Sequence, residues 1–412
     1  MSIIPARHPS KLLAQWLHCR GWPNLADGGV DNVNRQLRGG MRVGNRFTLI
    51  SDGRQFFARM LSAIEGSEDY VLAEFYLAES CVVTDEFIAA FARAAARGVR
   101  VRVILDAFGA RGLTDRDRVR MRDSGVILVF YNEPRWGSFA SMFLRDHRKL
   151  LTVDGSTGFT GGAGLTDMFS PDARPDSYWW DCMVEMSGPV LNDWHTLFAS
   201  TWRRCLHRPL DVAPRRSKPL HPGESGRVVA SAGLGRKEVG RSVIKRVRKS
   251  NSRIWIATAY FWPSIRLRRA LRRAARRGID VRLVLTGQHT DSPMVRSVGR
   301  LFYARLLANG VVIYEYQERF LHCKLTLCDD WASIGSSNLD RWGTLWNLDA
   351  NQEIDSPAFA RQVEATFEQI WQHSAVLRHM SDVEHPWSVY IWRQLARVIF
   401  AWSVRAVSRL RR

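Results

Sequence analysis

The sequence predicts an α/β protein made of two duplicated domains, each a mixed, mostly parallel sheet flanked by helices, with the domains related by a pseudo-two-fold axis. Three observations lead to this fold class. Strand and helix patterns alternate through both halves of the chain. A helix end, a glycine and a buried strand occur together at residues 94–109 and again at residues 273–287. These glycines are 180 residues apart, and a second pair of landmarks, His147 and His322, is 175 residues apart.

The length and composition divide the chain into five segments. A chain of 412 residues is too long for one hydrophobic core, so two domains are expected, at residues 45–206 and 227–378. Residues 207–226 hold four prolines and two glycines and are predicted to be a linker. Residues 1–44 show no clear period and are predicted to form an N-terminal extension, whereas residues 379–412 read as a basic amphipathic C-terminal tail.

Strands and helices can be placed at equivalent positions in the two domains. The strongest strand patterns are β-branched and apolar runs at residues 70–76, 99–105, 254–261 and 281–285. One helix is expected at residues 85–97, with Thr84 as its N-cap, and its counterpart at residues 264–277, after Pro263. In both domains a further strand then carries a short polar motif.

The polar motif is H-x-K-x4-D, and it occurs once in each domain. The first copy is His147, Lys149 and Asp154, and the second is His322, Lys324 and Asp329. Because strand side chains alternate, His and Lys of each copy lie on one face. Only seven of the 60 Lys plus Arg residues are Lys, yet two of the seven are at the motif positions. A compact ammonium charge is therefore expected to matter there.

Two imidazoles and two ammonium groups are the groups that phosphodiester exchange needs. One imidazole can attack phosphorus and form a covalent intermediate. The other can protonate the leaving alcohol and then deprotonate the incoming one. The ammonium groups can stabilise the charge on the non-bridging oxygens, so neither a metal ion nor another cofactor is expected.

The double motif resembles the signature of the phospholipase D superfamily. Over residues 47–368 the chain most resembles the bacterial cardiolipin synthases of the B type, also in the segments "AYFWP" and "WASIGSSNLD". The resemblance implies that His147 is the nucleophile and His322 the acid and base. It implies the following further residues: Asp181 and Asp349 as carboxylates that orient the imidazoles, Lys149, Lys324, Asn338, Ser336 and Gly162 at the substrate phosphate, and Asp154 and Asp329 as structural members of the motifs.

The chain departs from the pattern of this superfamily at two positions. Relatives usually carry G-G-x-N after the first motif, and this chain has Gly164 at the Asn position. The first domain therefore lacks one amide donor for the phosphate. Asp349 stands where many relatives carry Glu, so its side chain is one methylene shorter.

The resemblance implies a transferase that joins two phosphatidylglycerol molecules into cardiolipin through a phosphohistidine intermediate and releases glycerol. It also allows phosphatidylethanolamine or free glycerol as exchange partners. Two alternatives stay open at this point. The acceptor could be water, as in a phospholipase D-type hydrolase, or the substrate could be DNA, as in the nucleases of this superfamily.

The charge of the chain points to an anionic partner. The net charge is +20 and the sequence pI is near 10.4, which fits a membrane surface or nucleic acid. The tail favours lipid over nucleic acid, because arginines fall on one helical arc and Trp392, Leu395 and Trp402 fall roughly opposite. A tail that packs on the second domain is the alternative. With no apolar run of about 18 residues, we expect a peripheral protein on the cytoplasmic side of the inner membrane, and the oligomeric state is left open.

Overall fold

The structure is a computed structural model, and it describes residues 37, 40–133, 144–232, 238–340 and 346–379. The predicted C-terminal tail beyond His379 and most of the predicted N-terminal extension lie outside these residues. In the portions of the chain that the structure describes, no helix combines the length and apolarity that crossing a bilayer requires.

The first half of the chain contains eight strands and four helices among its described residues. In chain order these are β1 (Arg42–Ile50), α1 (Gly53–Glu65), β2 (Tyr70–Phe75), α2 (Val82–Ala96), β3 (Arg100–Asp106), α3 (Asp115–Asp123), β4 (Ile127–Tyr131), β5 (Arg145–Asp146), β6 (Lys149–Val153), β7 (Thr157–Gly161), β8 (Met183–Ser187) and α4 (Leu191–Leu206).

The second half repeats this order with small additions. It contains β9 (Glu224–Ala232), α5 (Glu238–Lys249), β10 (Arg253–Thr258), α6 (Ile265–Arg276), β11 (Asp280–Thr286), α7 (Pro293–Arg300), α8 (Tyr303–Leu307), β12 (Val312–Tyr316), β13 (Lys324–Cys328), β14 (Trp331–Gly335), β15 (Asn347–Asp355), α9 (Pro357–Gln372) and β16 (Ser374–Leu377). Strand β9 begins inside the stretch that was predicted to be linker.

The strand order shows the duplication directly. From the middle of the sheet outward, the first half runs β1, β8, β7, β6, β2, β3, β4, and the second runs β9, β15, β14, β13, β10, β11, β12. The equivalent strands β1 and β9 pair antiparallel at the middle, as a two-fold axis between them requires. The predicted α/β class with two duplicated halves is confirmed.

The prediction that each sheet is mostly parallel is wrong. Among the strand pairs of the described residues, ten are antiparallel and five are parallel. The parallel pairs are concentrated at the helix-connected strands, such as β2 with β3 and β10 with β11. After the motif strand the chain turns back as a hairpin, because Asp154 and Gly155 both have positive φ, 53° and 61°. The motif strand and its neighbours are therefore antiparallel.

The start of helix α2 also differs from the prediction. The helix begins at Val82, and Thr84 is fully buried with its hydroxyl donating to the carbonyl of Leu165 at 2.9 Å. The carboxylate of Asp167 accepts from the N–H of Val82 and Val83 at 3.4 and 2.9 Å. A residue distant in sequence therefore caps this helix, which local patterning does not show. In the second half, Ser264 is the N-cap of α6 and accepts from the N–H of Leu267 at 3.2 Å.

The two halves pack on one another as well as joining edge to edge. Strand β7 lies against β14 and β15, although these strands are not neighbours in the sheet. A hydrophobic core between the halves draws on both, with Leu150 and Val184 from the first and Leu325 and Ile334 from the second. Each half also has a core of its own beneath its helices. This packing brings the two motif strands together.

Candidate active site

The two motif histidines lie at equivalent ends of the sheet. Lys149 begins β6 and is paired with Phe75, at the carboxyl end of β2. Lys324 begins β13 and is paired with Thr258, at the carboxyl end of β10. Each histidine stands two residues before its lysine, just outside the strand. The motifs therefore sit where the helix-connected strands end, which is the usual location of sites in α/β sheets.

Backbone hydrogen bonds join each motif to the opposite half of the chain. The N–H of His147 donates to the carbonyl of Leu348 at 2.9 Å, and the N–H of His322 donates to the carbonyl of Trp180 at 2.8 Å. The residue after each of these carbonyls is an aspartate, Asp349 or Asp181. The register thus places each aspartate beside the histidine of the other half.

The imidazole of His147 is oriented by two acceptors from the second half. Its Nδ1 lies 3.1 Å from Oδ1 of Asp349 and 3.0 Å from the carbonyl oxygen of Ser336. Since both partners can only accept, Nδ1 carries the proton and Nε2 keeps its lone pair. Nε2 makes no hydrogen bond to any described residue. The hydroxyl of Ser336 donates to the same Asp349 oxygen at 2.8 Å, which holds the carboxylate in place.

The imidazole of His322 is oriented in the same way from the first half. Its Nδ1 lies 2.7 Å from Oδ2 of Asp181, and Oδ1 of Asp181 accepts from the N–H of Cys182 at 2.7 Å. Unlike the ring of His147, the ring of His322 contacts a lysine: Nζ of Lys324 lies 3.0 Å from both Nδ1 and Nε2. An ammonium therefore stands beside Nε2 in the second half, and no described residue contacts Nε2 by a hydrogen bond in the first.

The two lysines are buried, with exposed fractions of 2% for Lys149 and 3% for Lys324. Nζ of Lys149 donates to the carbonyl of its own motif histidine, His147, at 2.6 Å. Lys324 does the same with His322. Each ammonium is thus held beside a ring and has donors left over for a bound anion.

Burial and mutual repulsion shift the pKa values of these groups. Burial, followed by the charge of Lys324, lowers the pKa of Lys149 to about 7. Burial lowers the pKa of Lys324 as well. Burial and the charge of Lys324 lower the pKa of His322 to about 3, and burial and Lys149 lower the pKa of His147. Both imidazoles are therefore neutral near pH 7, and the charge of an anion in the site would oppose these shifts.

Asp154 and Asp329 stand at the turn after each motif strand and not at the imidazoles. The carboxylate of Asp154 accepts from the backbone N–H of Glu68, Asp69 and Tyr70 at 2.7 to 2.9 Å. Asp329 accepts in the same way from the N–H groups of Asn251, Ser252 and Arg253 at 3.0 to 3.1 Å. Burial would raise the pKa of Asp329, but these hydrogen bonds lower it below its ordinary value. Both carboxylates fix the turn to the start of a neighbouring strand.

Comparison with known proteins agrees with this geometry. The profile described as "Cardiolipin synthase, PLD-like domain" matches residues 60–193 and 243–371. The chain belongs to this family. Cardiolipin synthase B of Salmonella typhi is 34% identical over 334 residues, which cover 78% of this chain and 79% of that protein. Cardiolipin synthase B of Escherichia coli strain K12 is 31% identical over 340 residues, 77% of this chain and 78% of that protein.

Solved structures support the same fold. The crystal structure of phosphatidylserine synthase from Haemophilus influenzae has a TM-score of 0.70 with this chain. It is 16% identical, and the match covers 91% of this chain and 98% of that one. Polyphosphate kinase from Porphyromonas gingivalis has a TM-score of 0.54 at 15% identity, over 96% of this chain and 56% of that one. At these identities the likeness is one of fold.

The departure from the family pattern at Gly164 has a structural cause. A Cβ atom at Gly164 would lie 2.7 Å from the carbonyl oxygen of Leu77 and 2.9 Å from its Cβ. The loop that follows β2 thus fills the space that a side chain would need. The equivalent position in the second half is Asn338, which is 7% exposed and whose Oδ1 has no hydrogen-bond partner among the described residues. The second half of the site therefore offers the buried amide of Asn338, and the first half has no room for a side chain at Gly164.

Gly162 and Ser336 are equivalent residues with different surroundings. A Cβ at Gly162 would lie 2.2 Å from Oδ2 of Asp181, so only glycine lets that carboxylate reach His322. The N–H of Gly162 already donates to Cys182, and the N–H of Ser336 to Ala350. The Ser336 hydroxyl is taken by Asp349. These contacts favour a positioning role for both residues over the predicted phosphate-binding role.

The sequence did not single out the aromatic side chains around the imidazoles. Ring centroids of Phe169 and Trp179 lie 5.3 Å from His322, that of Phe320 lies 5.7 Å from it, and that of Tyr76 lies 5.0 Å from His147. Tyr76 and Trp179 had a signal in the sequence, because Tyr76 ends a predicted strand and Trp179 comes two residues before Asp181. Phe169 and Phe320 had no such signal, since only packing places them there.

A tyrosine and a carboxylate of the second half also lie near this wall. Tyr260 is 6.2 Å from the ring of Phe320, and its hydroxyl donates to Asp291. Across the described residues, no group of three or more His, Cys, Asp or Glu side chains is arranged to hold a metal ion.

Proposed function

We propose that this protein is a cardiolipin synthase, which transfers the phosphatidyl group of one phosphatidylglycerol to the alcohol of a second and releases glycerol. The observation that carries the proposal is the crossed arrangement in which each imidazole is oriented by the aspartate of the other half, at 3.1 and 2.7 Å. The relatives that match over most of their length are named cardiolipin synthase B, and these names support the choice of substrate.

In the first step Nε2 of His147 attacks the phosphorus of phosphatidylglycerol. The bond between phosphorus and the glycerol headgroup oxygen breaks, and His322 gives its proton to that oxygen, so glycerol leaves. The assignment of His147 as nucleophile is supported by its free Nε2, because the corresponding atom of His322 lies 3.0 Å from an ammonium. The charge of the bound phosphate raises the pKa of His322, which allows this ring to carry the proton.

In the second step His322, now neutral, takes the proton from a hydroxyl of the second phosphatidylglycerol. The resulting oxygen attacks phosphorus and displaces Nε2 of His147, which gives cardiolipin and returns the enzyme to its starting state. Asp349 and Asp181 stabilise the imidazolium character that each ring acquires. Lys149, Lys324 and Asn338 would hold the non-bridging oxygens, and no metal or other cofactor takes part in the scheme.

The surroundings of His322, the base that activates the acceptor in this scheme, favour an alcohol over water. Phe169, Trp179 and Phe320 form aromatic contacts around His322, and the exposed fraction of that histidine is 7%. An apolar wall of this kind limits the water that reaches the intermediate. Phosphatidylethanolamine and free glycerol are further exchange partners of the proposed reaction.

We also propose that the protein works as a peripheral protein on the cytoplasmic face of the inner membrane. A net charge of +20 suits the anionic lipids of that face. The predicted amphipathic tail, which lies outside the described residues, would add to this attachment.

Product analysis tests the proposal. Purified protein with labelled phosphatidylglycerol in vesicles is expected to yield cardiolipin and free glycerol. The variant His147→Ala lacks the attacking atom and is expected to lose at least about 10³-fold in rate. Phosphatidic acid as the main labelled product would contradict the synthase proposal in favour of hydrolysis, and cleavage of DNA without lipid turnover would contradict it in favour of a nuclease.

A further inference from the structure

The duplicated halves differ greatly in the charge of one pair of helices. Helices α5 and α6 of the second half together carry eleven Lys or Arg residues and a single acid, Glu238. The equivalent helices α1 and α2 of the first half carry three Arg residues and three acids. Because the two pairs occupy the same place in the fold, the fold itself does not require this charge.

The basic residues of α5 and α6 form a stripe on the outer surface. Val243, Val247, Leu267 and Leu271 face the core. The exposed residues are spaced three or four apart, so they lie on one face of each helix. They are Arg241, Lys245, Arg248 and Lys249 on α5, and Arg266, Arg269, Arg273 and Arg276 on α6. We call this surface the basic face.

Few acids neutralise the basic face. Glu238 pairs with Arg241 at 2.8 Å, whereas Arg266, Arg269 and Arg273 form no ion pair with a described residue. The arginines of α1 and α2 behave differently, since each of them is ion-paired: Arg54 with Asp172, Arg59 with Glu185, and Arg93 with Glu65. The second half thus presents uncompensated positive charge, which favours an anionic partner with many phosphates.

The basic face ends in exposed apolar side chains at the edge of the sheet where the site lies. Ile265 is 51% exposed at the first turn of α6, and Met294 is 44% exposed at the first turn of α7. These helices follow the carboxyl ends of β10 and β11, and Lys324 is paired with the last residue of β10. Apolar residues beside a basic stripe suit the headgroup and acyl boundary of a bilayer.

We infer that the basic face, together with Ile265 and Met294, is the surface by which the folded enzyme docks on an anionic bilayer. The arginine stripe lies along the lipid phosphates, and the two apolar side chains enter the bilayer next to the active site. The choice of a bilayer over nucleic acid rests on the proposed function and on these apolar residues, because a phosphate backbone offers them no apolar partner.

Vesicle binding by the full-length protein tests the inference. The charge-reversal variant Arg266→Glu, Arg269→Glu, Arg273→Glu is compared with a control that makes the same charge change elsewhere: Arg116→Glu, Arg122→Glu, Arg361→Glu, three exposed arginines. Binding is measured by flotation with vesicles of phosphatidylcholine containing phosphatidylglycerol. One basic residue near an anionic surface raises membrane partitioning by about fivefold. The first variant is therefore expected to lose about 100-fold in partitioning to the vesicles, and the control much less.

The apolar part of the docking surface has a matched control in the duplication. By strand register, Val82 at the start of α2 is equivalent to Ile265, and it is 60% exposed. The variant Ile265→Ser, Met294→Ser is expected to lose about tenfold in vesicle partitioning. The control Val82→Ser, Val119→Ser removes two exposed apolar residues of the first half and is expected to bind as the unaltered protein does.

The outcomes separate this inference from the proposed function. Equal losses in the Arg266 variant and its control, with both proteins folded by circular dichroism, would overturn the docking surface in favour of a net-charge effect. Binding to duplex DNA, but not to phosphatidylglycerol vesicles, would overturn it in favour of nucleic acid. His147→Ala is expected to bind vesicles normally. The protein could make no cardiolipin while the variant Arg266→Glu, Arg269→Glu, Arg273→Glu, but not its control, loses vesicle binding. That result would support the docking surface and contradict the proposed reaction.

Discussion

At the scale of single residues, the two motif histidines are chemically distinguishable although they come from copies of one sequence pattern. Both donate from Nδ1 to an aspartate, but a lysine Nζ lies 3.0 Å from Nε2 only in the ring of His322. The sequence predicted the four groups, His147, Lys149, His322 and Lys324, because the motif spacing is visible in it. It did not show the difference between the rings, which depends on lysine conformations that packing decides.

The ammonium of Lys149 gives a pH prediction. Burial and the charge of Lys324 lower the pKa of Lys149 to about 7. In the free enzyme, the cation proposed to hold the phosphate is therefore lost as the pH rises through that value, and kcat/KM should fall by about tenfold per pH unit above it. The measurement is the pH profile of kcat/KM for phosphatidylglycerol in mixed micelles.

The control for this profile is Lys149→Arg, because a guanidinium keeps its charge throughout this range. The arginine variant is expected to be slower at pH 7 but to lack the alkaline decline. A decline of the same steepness in the arginine variant would show that a group other than Lys149 is titrating.

At the scale of elements, the loops that follow β7 and β14 explain the asymmetry of the site. The sequence showed that glycine replaces asparagine at position 164, but it did not show why. The reason is that the loop after β2 approaches so closely that a Cβ at Gly164 would lie 2.7 Å from the carbonyl oxygen of Leu77. Contacts between loops that are far apart in sequence cannot be read from local patterns.

A substitution tests this explanation. Gly164→Asn would restore the usual motif but is expected to reduce stability by about 1–3 kcal/mol, because the loop backbone must move to admit the side chain. It is also expected to lower activity rather than raise it. Gly240→Asn is a suitable control, since a Cβ there would meet no atom within 4 Å. Thermal unfolding and cardiolipin formation are measured for both; a fully stable and more active Gly164→Asn would refute the steric account.

The strands show where sequence patterns succeed and where they do not. Patterns of alternating helix and strand correctly placed β2, β3, β10 and β11, because helix-connected parallel strands leave a strong local signal. The same reasoning failed for β6, β7 and β8, which form hairpins. Their direction depends on the turn at Asp154 and Gly155, where positive φ makes the chain reverse.

At the scale of the whole molecule, the duplication has produced one site rather than two. The imidazole of His147 is oriented by Asp349, and that of His322 by Asp181. The offsets between the motifs predicted the duplication and the two-fold relation. They did not predict that each aspartate would contact the histidine of the other half. The offset between the two motifs is the same whether an aspartate orients the histidine of its own half or that of the other half.

A mixing experiment tests the single shared site. Equal amounts of the His147→Ala and His322→Ala variants are expected to show no more cardiolipin formation than either alone, since every chain lacks one imidazole at its own site. The unaltered protein, assayed at half its concentration, is the control. Recovery of a substantial fraction of activity on mixing would mean that chains exchange halves in an oligomer.

The exchange of aspartates also bears on when the enzyme can first act during its synthesis. The ribosome releases the first half with His147 in place, but the carboxylate that orients this ring lies 202 residues further along the chain. A nascent or truncated polypeptide that ends before Asp349 therefore carries the proposed nucleophile without the carboxylate that orients it, and we expect such a fragment to be inactive.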